Sequence, residues 1–256
     1  MTPLPSPKLV ALYLAQRVKM RLAYRADFVV TALGDVLLAA VGLVFLSTLF
    51  THVKALGAYT QAEVLFCWGF AETVVGLFFV LFGGLWSLNQ RYIVGGELDR
   101  VLLRPVDPYL QVLLDNVSWE DLPIALLGTA VMAVAAQDLG PVPAWHWALL
   151  PVLVLGGVAV LGGILTGVSS MGFHLHHRGT AVGLVFQLST FTRYPIDLFA
   201  APLRFLLTFA LPLGFAGFYP ASFVMDRPEW HGYALAQPLV GAAAMALGYG
   251  AFRFGL

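Results

Sequence analysis

The fold of this protein is decided by one stretch of its sequence, WALLPVLVLGGVAVLGGILTGVSSMGF, which runs from Trp147 to Phe173. The stretch contains no lysine, arginine, aspartate or glutamate. A helix needs about 20 mostly apolar residues to cross the hydrocarbon core of a bilayer, and this stretch exceeds that length. It therefore predicts a membrane-spanning helix.

The composition of the whole chain supports the same interpretation. Of its 256 residues, 59% are hydrophobic and only 11% are charged, and the mean hydropathy is +0.83. Soluble domains usually carry about 25% charged residues. The 14 basic residues balance the 14 acidic ones, which argues against a nucleic-acid partner. The single cysteine, Cys67, excludes a disulfide framework and a cysteine metal cluster.

Six stretches are predicted to cross the bilayer. The first and second carry one charge each, Asp35 and Glu72. The predicted spans are 28–50, 64–86, 118–136, 147–173, 180–195 and 233–252. The region 180–218 is apolar but is broken by Arg193, Pro195, Asp197, Pro202, Arg204 and Pro212. We predict one span there, followed by a re-entrant segment over 196–218; two complete spans would give seven crossings.

The positions of the basic residues predict the orientation of the chain. With six spans and the N-terminus inside, ten lysines and arginines face the cytoplasm and four face outward. The cytoplasmic ten are Lys8, Arg17, Lys19, Arg21, Arg25, Arg91, Arg100, Arg104, Arg178 and Arg253; the outer four are Lys54, Arg193, Arg204 and Arg227. A seventh span would leave this count unchanged. We prefer six because Arg193-Tyr-Pro-Ile-Asp197 interrupts the helix, which is tolerated where protein buries the backbone.

The first 27 residues form a separate element. Apolar residues alternate with five basic ones, which predicts a basic amphipathic helix on the cytoplasmic leaflet. A solvated tail whose charges only set the topology is the alternative.

Enzymatic and metal-binding signals are weak. Neither a P-loop nor a G-x-G-x-x-G motif occurs, so any ATP must be bound by another chain. His174, His176 and His177 lie in a short loop without a neighbouring carboxylate or cysteine, which favours interfacial polar residues over a metal site. Ser169-Ser170 lacks an elbow motif or a base at a recognisable spacing. We predict no catalytic residues and no metal.

Asp35 and Glu72 are unusual because carboxylates within spans are costly and generally face the bundle interior or water. Either one lines a substrate path or accepts protons, or each is satisfied by neighbouring side chains. No basic residue within the spans is evident as a partner for them.

The most specific part of the sequence is the loop at residues 87–117. Gly95-Gly96 ends one helix, Glu97-Leu98-Asp99 begins a short new one, and Pro105 ends it. Its predicted apolar face consists of Leu98, Val101, Leu102 and Leu103. Such an element either docks into a groove of another protein, as mechanical coupling requires, or rests on lipid.

The chain resembles the permease subunits of ABC type-2 exporters, in the branch with a GELD-x-x-LLRP loop. The residues that carry the resemblance are Gly96-Glu97-Leu98-Asp99-x-x-Leu102-Leu103-Arg104-Pro105-Val106-x-Pro108, Arg193-Tyr194-Pro195, Pro212 and Tyr219-Pro220-Ala221. The resemblance covers essentially the whole chain. It implies a bacterial plasma-membrane protein with both termini in the cytoplasm, six spans, an N-terminal amphipathic helix and a re-entrant hairpin.

The resemblance also implies partners. A second permease, identical or related, would complete the translocation path, and two separate ATPase subunits would bind ATP, so this chain would bind no cofactor. The coupling residues would be Gly96, Glu97, Leu98, Asp99, Leu102, Leu103, Arg104 and Pro105. The re-entrant residues would be Arg193, Pro195, Asp197 and Pro212.

Two functional hypotheses follow. The first is a transmembrane subunit of an ATP-driven exporter. The alternative is an ion-coupled secondary transporter that uses Asp35 or Glu72 without an ATPase. An intramembrane enzyme is disfavoured because no nucleophile–base pair is recognisable.

Overall fold

A computed structural model of the chain describes residues 25–175 and 180–256. Within these ranges the chain is helical, and no β-strand is present. Most of the amphipathic helix predicted over residues 1–27 lies outside the described residues, as do His176 and His177.

Five helical stretches of the described chain are long and apolar enough to cross a membrane. They are Phe28–His52, Gln61–Phe82, Trp119–Asp138, Ala144–His174 and Pro228–Gly255. They overlap the predicted spans 28–50, 64–86, 118–136, 147–173 and 233–252. The prediction of an all-α integral membrane protein is therefore confirmed.

The α-helices are numbered in chain order. They are α1 Arg25–His52, α2 Gln61–Phe82, α3 Gly84–Ser87, α4 Leu98–Leu102, α5 Pro108–Asp115, α6 Leu122–Ala135, α7 Ala144–Ser170, α8 Gly172–Leu175, α9 Thr180–Ser189, α10 Ala201–Phe205, α11 Phe218–Val224 and α12 His231–Gly255. Two π-helical stretches cover Leu88–Val94 and Leu206–Ala210. Following the predicted topology, we call the end of the bundle at residues 53–60 the outer end and the end at residues 87–117 the inner end.

Helices α7 and α12 pack along their length and run in the same direction. Gly156 faces Gln237, and seven residues further along both helices Gly163 faces Ala244. The chain between these helices must therefore return once to the outer end, as the six-span prediction requires. Two complete spans in that region would have made α7 and α12 antiparallel.

The returning segment is shorter than the predicted span 180–195. It consists of α9 and a 3-10 turn, Thr190–Arg193, and it ends before Pro195, which disfavours helical backbone at Tyr194. At the rise of a helix these residues reach about 20 Å, whereas the hydrocarbon core is about 30 Å thick. The sixth crossing stays a prediction.

Residues 201–224 form a helical hairpin. Its first arm is α10 with the π-helical stretch Leu206–Ala210, the chain reverses at Leu211-Pro212, and the second arm ends with α11. The hydroxyl groups of Thr208 and Tyr219 lie 2.6 Å apart and join the arms. The predicted segment, 196–218, ended too early, because the second arm continues to Val224.

Both ends of the hairpin lie at the outer end of the bundle. Before the first arm, Asp197 accepts a hydrogen bond from the Tyr59 hydroxyl at 3.1 Å. Burial and the Asp197 carboxylate raise the pKa of Tyr59, so its hydroxyl remains a donor. After the second arm, Arg227 Nε donates to Glu63 Oε1 at 2.8 Å and its Nη2 donates to the Ala58 carbonyl at 2.9 Å.

The tip of the hairpin points towards the inner half of the bundle. Leu211 and Pro212 border an apolar cavity of about 480 Å³, together with Gly167 and Gly248 of α7 and α12. A segment that enters and leaves at one end and turns inside the bundle has the geometry expected of a re-entrant hairpin.

A buried glutamine supports the hairpin where its backbone is irregular. Gln237 of α12 is fully buried, and its Nε2 donates to the carbonyl of Leu153 at 2.7 Å and to that of Phe215 at 3.0 Å. Unsatisfied backbone groups are costly away from water. This side chain therefore stabilises the irregular backbone at Phe215, just before α11 begins, and connects it to α7.

The close contact of α7 and α12 gives a first prediction. A Cβ atom at Gly163 would overlap the backbone of Ala244, whereas one at Gly167 would lie 3.8 Å from its nearest neighbour, the Cα atom of Gly248. We expect Gly163→Ala to destabilise the protein by about 1 to 3 kcal/mol through overpacking. The matched Gly167→Ala variant gains the same helix propensity and should be no less stable than the wild type. Thermal unfolding in detergent measures both; equal melting temperatures would contradict the prediction.

Candidate functional site

The predicted coupling loop, residues 87–117, begins with a change of helix type. Helix α3 leads into the π-helical stretch Leu88–Val94, which ends at Gly95. Gly96 follows with a φ of +72°, in the left-handed region that favours glycine. Glu97 is the N-cap residue of the five-residue helix α4. The glycine pair thus redirects the chain into α4, in agreement with the predicted break.

An ion pair holds the beginning of α4. Arg91 Nε donates to Glu97 Oε2 at 2.7 Å, and Arg91 Nη1 donates to Asn116 Oδ1 at 3.2 Å. Asn116 in turn donates from Nδ2 to the Tyr92 hydroxyl at 2.7 Å. Burial raises the pKa of Tyr92, so this hydroxyl stays neutral. These bonds connect the two sides of the coupling loop.

The inward side of α4 is anchored to the bundle. Val101 is buried in an apolar cluster, against which Leu98 is partly buried. The other buried members of the cluster are Leu85, Leu88, Tyr92, Tyr109, Val112 and Phe252. Gln111 Nε2 also donates to the carbonyls of Val101 and Val106, at 3.2 and 2.7 Å. The position of α4 is therefore set by apolar packing and by hydrogen bonds.

The opposite side of α4 is open to solvent. Leu102 is 47% exposed and Leu103 is 86% exposed. Asp99, Arg104 and Pro105 are also exposed, and Arg104 Nη1 lies 4.0 Å from Asp115 Oδ2. The structure thus divides the predicted apolar face of four residues. Val101 and Leu98 face the protein itself, and Leu102 and Leu103 are presented outward.

A buried ion pair lies within the bundle. Glu72 is 2% exposed, and its Oε1 lies 3.0 Å from Nε of Arg193. The N–H group is not aligned with the carboxylate, so the contact is an ion pair without a regular hydrogen bond. The expectation that no basic residue is a partner for Glu72 is therefore wrong. Arg193 had been counted among the basic residues that face the outer side of the membrane, and the structure places it beside Glu72.

Asp35 lies beside this ion pair. A cavity of about 210 Å³ is lined by Asp35, Glu72 and Arg193. The apolar part of the lining is Leu38, Ala39, Val75, Phe79, Ile124 and Phe186. The two predicted intramembrane carboxylates are thus brought together around one guanidinium group.

The predicted re-entrant residues do not form a single site. Arg193 pairs with Glu72, Pro195 is buried, Asp197 binds Tyr59 at the outer end, and Pro212 lies at the hairpin tip. They lie at different places in the bundle.

Comparison with known proteins decides the family. A family model described as "ABC-2 family transporter protein" matches residues 36–256, most of the chain. The chain belongs to the ABC-2 transporter family. No curated protein and no solved structure matches it significantly.

Family membership fixes the general role of the molecule. An ABC-2 permease is the transmembrane component of an ABC transporter, associates with ABC ATPase subunits and is not itself the ATPase. The resemblance inferred from the loop motif is thus confirmed at the level of the family. The prediction of a multi-pass membrane protein with a role in transport is confirmed as well.

The Glu72–Arg193 pair of the ABC-2 permease was missed because the partners are distant in the sequence. The unexplained charge of Glu72 within an apolar span was the signal that could have prompted a search for a basic partner. Arg193 lies two residues before Pro195, at the end of the 3-10 turn that follows α9, and this break concealed its position within the bundle.

This ion pair gives a second prediction. Removing Arg193 leaves the carboxylate of Glu72 buried without a counter-charge, and removing Glu72 leaves the partly buried Arg193 without one. Each change is therefore destabilising, whereas removing both charges is less so. We expect Glu72→Gln and Arg193→Gln each to lower the melting temperature. The double variant should lose about 1 to 2 kcal/mol less unfolding free energy than the two single variants lose together. The more exposed Arg91–Glu97 pair is the control, with an expected coupling below about 1 kcal/mol. Additive effects at Glu72 and Arg193 would disprove the coupling.

Proposed function

We propose that this ABC-2 permease is the transmembrane subunit of an ATP-driven exporter in a bacterial plasma membrane, with both termini in the cytoplasm. A second permease, identical or related, completes the translocation path. Separate ATPase subunits bind the ATP, and this chain binds no cofactor. The observation that carries the proposal is the pair of exposed leucines, Leu102 and Leu103, on a helix that is anchored to the bundle.

An element that transmits movement must be held firmly on one side and recognised on the other. Helix α4 meets the first requirement through Val101 and Gln111, and the second through Leu102 and Leu103. Apolar side chains at the centre of an interface and charges at its rim are typical of docking between proteins. Asp99, Arg100 and Arg104 surround the leucines and would orient the ATPase subunit.

The anchoring also supports a route by which movement reaches the membrane. Asp107, at the start of α5, accepts a hydrogen bond from Tyr249 of α12 at 2.8 Å, and Tyr109 shares a hydroxyl contact of 2.9 Å with Thr166 of α7. A displacement of the coupling loop would therefore act directly on the inner ends of the fourth and last long helices. Alternating access between ATP-bound and ATP-free states would use this connection.

The first helix supports the presence of a second permease. Most large apolar side chains of α1 are exposed in the single chain, including Leu33, Leu37, Leu38 and Val41. Asp35 lies on this helix and is only partly covered. A carboxylate at membrane depth is costly next to lipid, so a neighbouring subunit that covers Asp35 would stabilise the arrangement.

The alternative of an ion-coupled transporter is less well supported. A proton-accepting carboxylate needs access to water and a charge that can change, whereas Glu72 is buried against Arg193. Asp35 remains available, but the coupling loop would then have no role.

The coupling loop is tested by replacing Leu102 and Leu103 together with aspartate. Leu98 is left intact, because it packs against the chain itself. Charged side chains in the apolar centre of an interface should weaken association with the ATPase subunit by about tenfold or more. Co-purification and substrate-stimulated ATP hydrolysis in proteoliposomes measure the effect.

The control is Leu256→Asp, because Leu256 is 44% exposed at the same end of the bundle but lies outside the coupling loop. Normal assembly and ATPase stimulation in the Leu102/Leu103 double variant would rule out the coupling role. Transport that follows an imposed ion gradient and ignores ATP would instead establish the ion-coupled alternative.

The second permease is tested by cysteine cross-linking on α1. Leu38 is 74% exposed beside the Asp35 cavity, and the native Cys67 is buried. With a mild oxidant, Leu38→Cys should join the two permeases through a disulfide. In a homodimer the disulfide forms between the Leu38→Cys residues of the two copies. In a heteromer it forms between Leu38→Cys and a cysteine introduced on the facing helix of the other permease. Leu155→Cys, equally apolar and exposed on α7, is the control and should remain monomeric. The same cross-linking at both positions, or at neither, would count against this interface.

A further inference from the structure

Three potential metal-binding side chains converge at the outer end of the bundle. His146 lies in the first turn of α7, Asp226 follows α11, and His231 is the first residue of α12. Their nitrogen and carboxylate oxygen atoms all lie within 4.8 Å of one another. His146 Nδ1 is 4.0 Å and His231 Nε2 is 3.7 Å from Asp226 Oδ1.

The two imidazole nitrogens that face this point have no partner of their own. His146 is 1% exposed, and among the described residues neither its Nδ1 nor Nε2 of His231 has a hydrogen-bond partner. Distances of 3.7 and 4.0 Å to the carboxylate are too long for hydrogen bonds. Burying polar atoms without partners is unfavourable. The two nitrogens therefore call for a further group that the protein chain itself does not supply.

The rings are held in place by aromatic neighbours. His146 packs on Phe223, with ring centroids 4.4 Å apart, and His231 packs against the same ring at 4.9 Å. Trp145 contacts both His146 and Phe223. Asp226 has a φ of +56°, the one positive φ outside glycine among the described residues. The convergence is therefore fixed by the surrounding structure.

We propose that His146, Asp226 and His231 bind a divalent transition-metal ion, with Zn²⁺ as the preferred occupant. Two imidazoles and one carboxylate are a common zinc ligand set, and water completes the tetrahedron. In such a site ligand atoms lie about 3.3 Å apart, so the observed separations require an inward movement of about 1 Å. The half-exposed Asp226 provides a route for the ion to enter.

A bound ion would connect three separate segments. It would tie the beginning of α7, the outer end of the hairpin and the beginning of α12 to one point. Arg227, the residue after Asp226, already attaches the hairpin to Glu63 of α2. The metal would therefore add a cross-link where the hairpin meets the outer surface, and it would stabilise one position of the hairpin.

The site can be tested with the full chain in detergent, purified by a tag without histidines. Co²⁺ serves as the probe, because tetrahedral Co²⁺ absorbs visible light and Zn²⁺ displaces it. We expect one Co²⁺ per chain at this site, displacement by Zn²⁺, and a higher melting temperature with Zn²⁺. His231→Ala and Asp226→Asn should each weaken Co²⁺ binding at least tenfold. Both alter partly exposed side chains, and unchanged elution on size exclusion would show that they are folded.

The control is the triple variant His174→Ala, His176→Ala and His177→Ala, which removes three histidines that are close together in the sequence and should leave the visible absorption and the Zn²⁺ stabilisation unchanged. The proposal is overturned if the wild type shows no tetrahedral Co²⁺ absorption, or if the absorption survives in His231→Ala and Asp226→Asn. These readouts do not depend on transport or on the ATPase partner, so they succeed or fail independently of the proposed function.

Discussion

The structure depends on one constraint: within a bilayer, every backbone N–H and C=O group must find its partner inside the protein. Five long helices satisfy it along their own axes. The hairpin at residues 201–224 cannot, because its helices are short and of mixed type, and its second arm is packed against α2, α7 and α12. The buried side chain of Gln237 provides hydrogen bonds at the break in the second arm. The irregular backbone of the second arm is thus covered by regular helices.

The packing of α7 and α12 positions both functional ends of the molecule. At the inner end, α7 and α12 contact the coupling loop through Thr166 and Tyr249. At the outer end, the first turns of these two helices carry His146 and His231 and border the exit of the hairpin. The two parallel helices, which touch closely at Gly163, therefore form a rigid link between the surface proposed to contact the ATPase and the surface where the hairpin emerges.

The sequence predicted the helices that its composition makes unavoidable. Long apolar stretches such as Trp147–Phe173 have few structural alternatives, and the loop motif around Glu97 pointed to the family. Features that depend on tertiary proximity were not predictable in this way. Glu72 meets Arg193, and His146 meets His231, only because the chain returns to the same level of the bundle. The sequence also did not predict which apolar residues of α4 are buried and which are exposed. Val101 and Leu102 are adjacent in the helix, and helical periodicity does not determine which of the two the bundle covers.

The sparse packing of α1 has a consequence for the biogenesis of the transporter. A helix that contributes little to the core of its own subunit gains most of its stabilisation when the proposed second permease covers it. Folding and assembly are then a single thermodynamic event for this part of the chain. A copy that fails to find its partner keeps Asp35 only partly covered, and this carboxylate would distinguish an unassembled subunit from an assembled one.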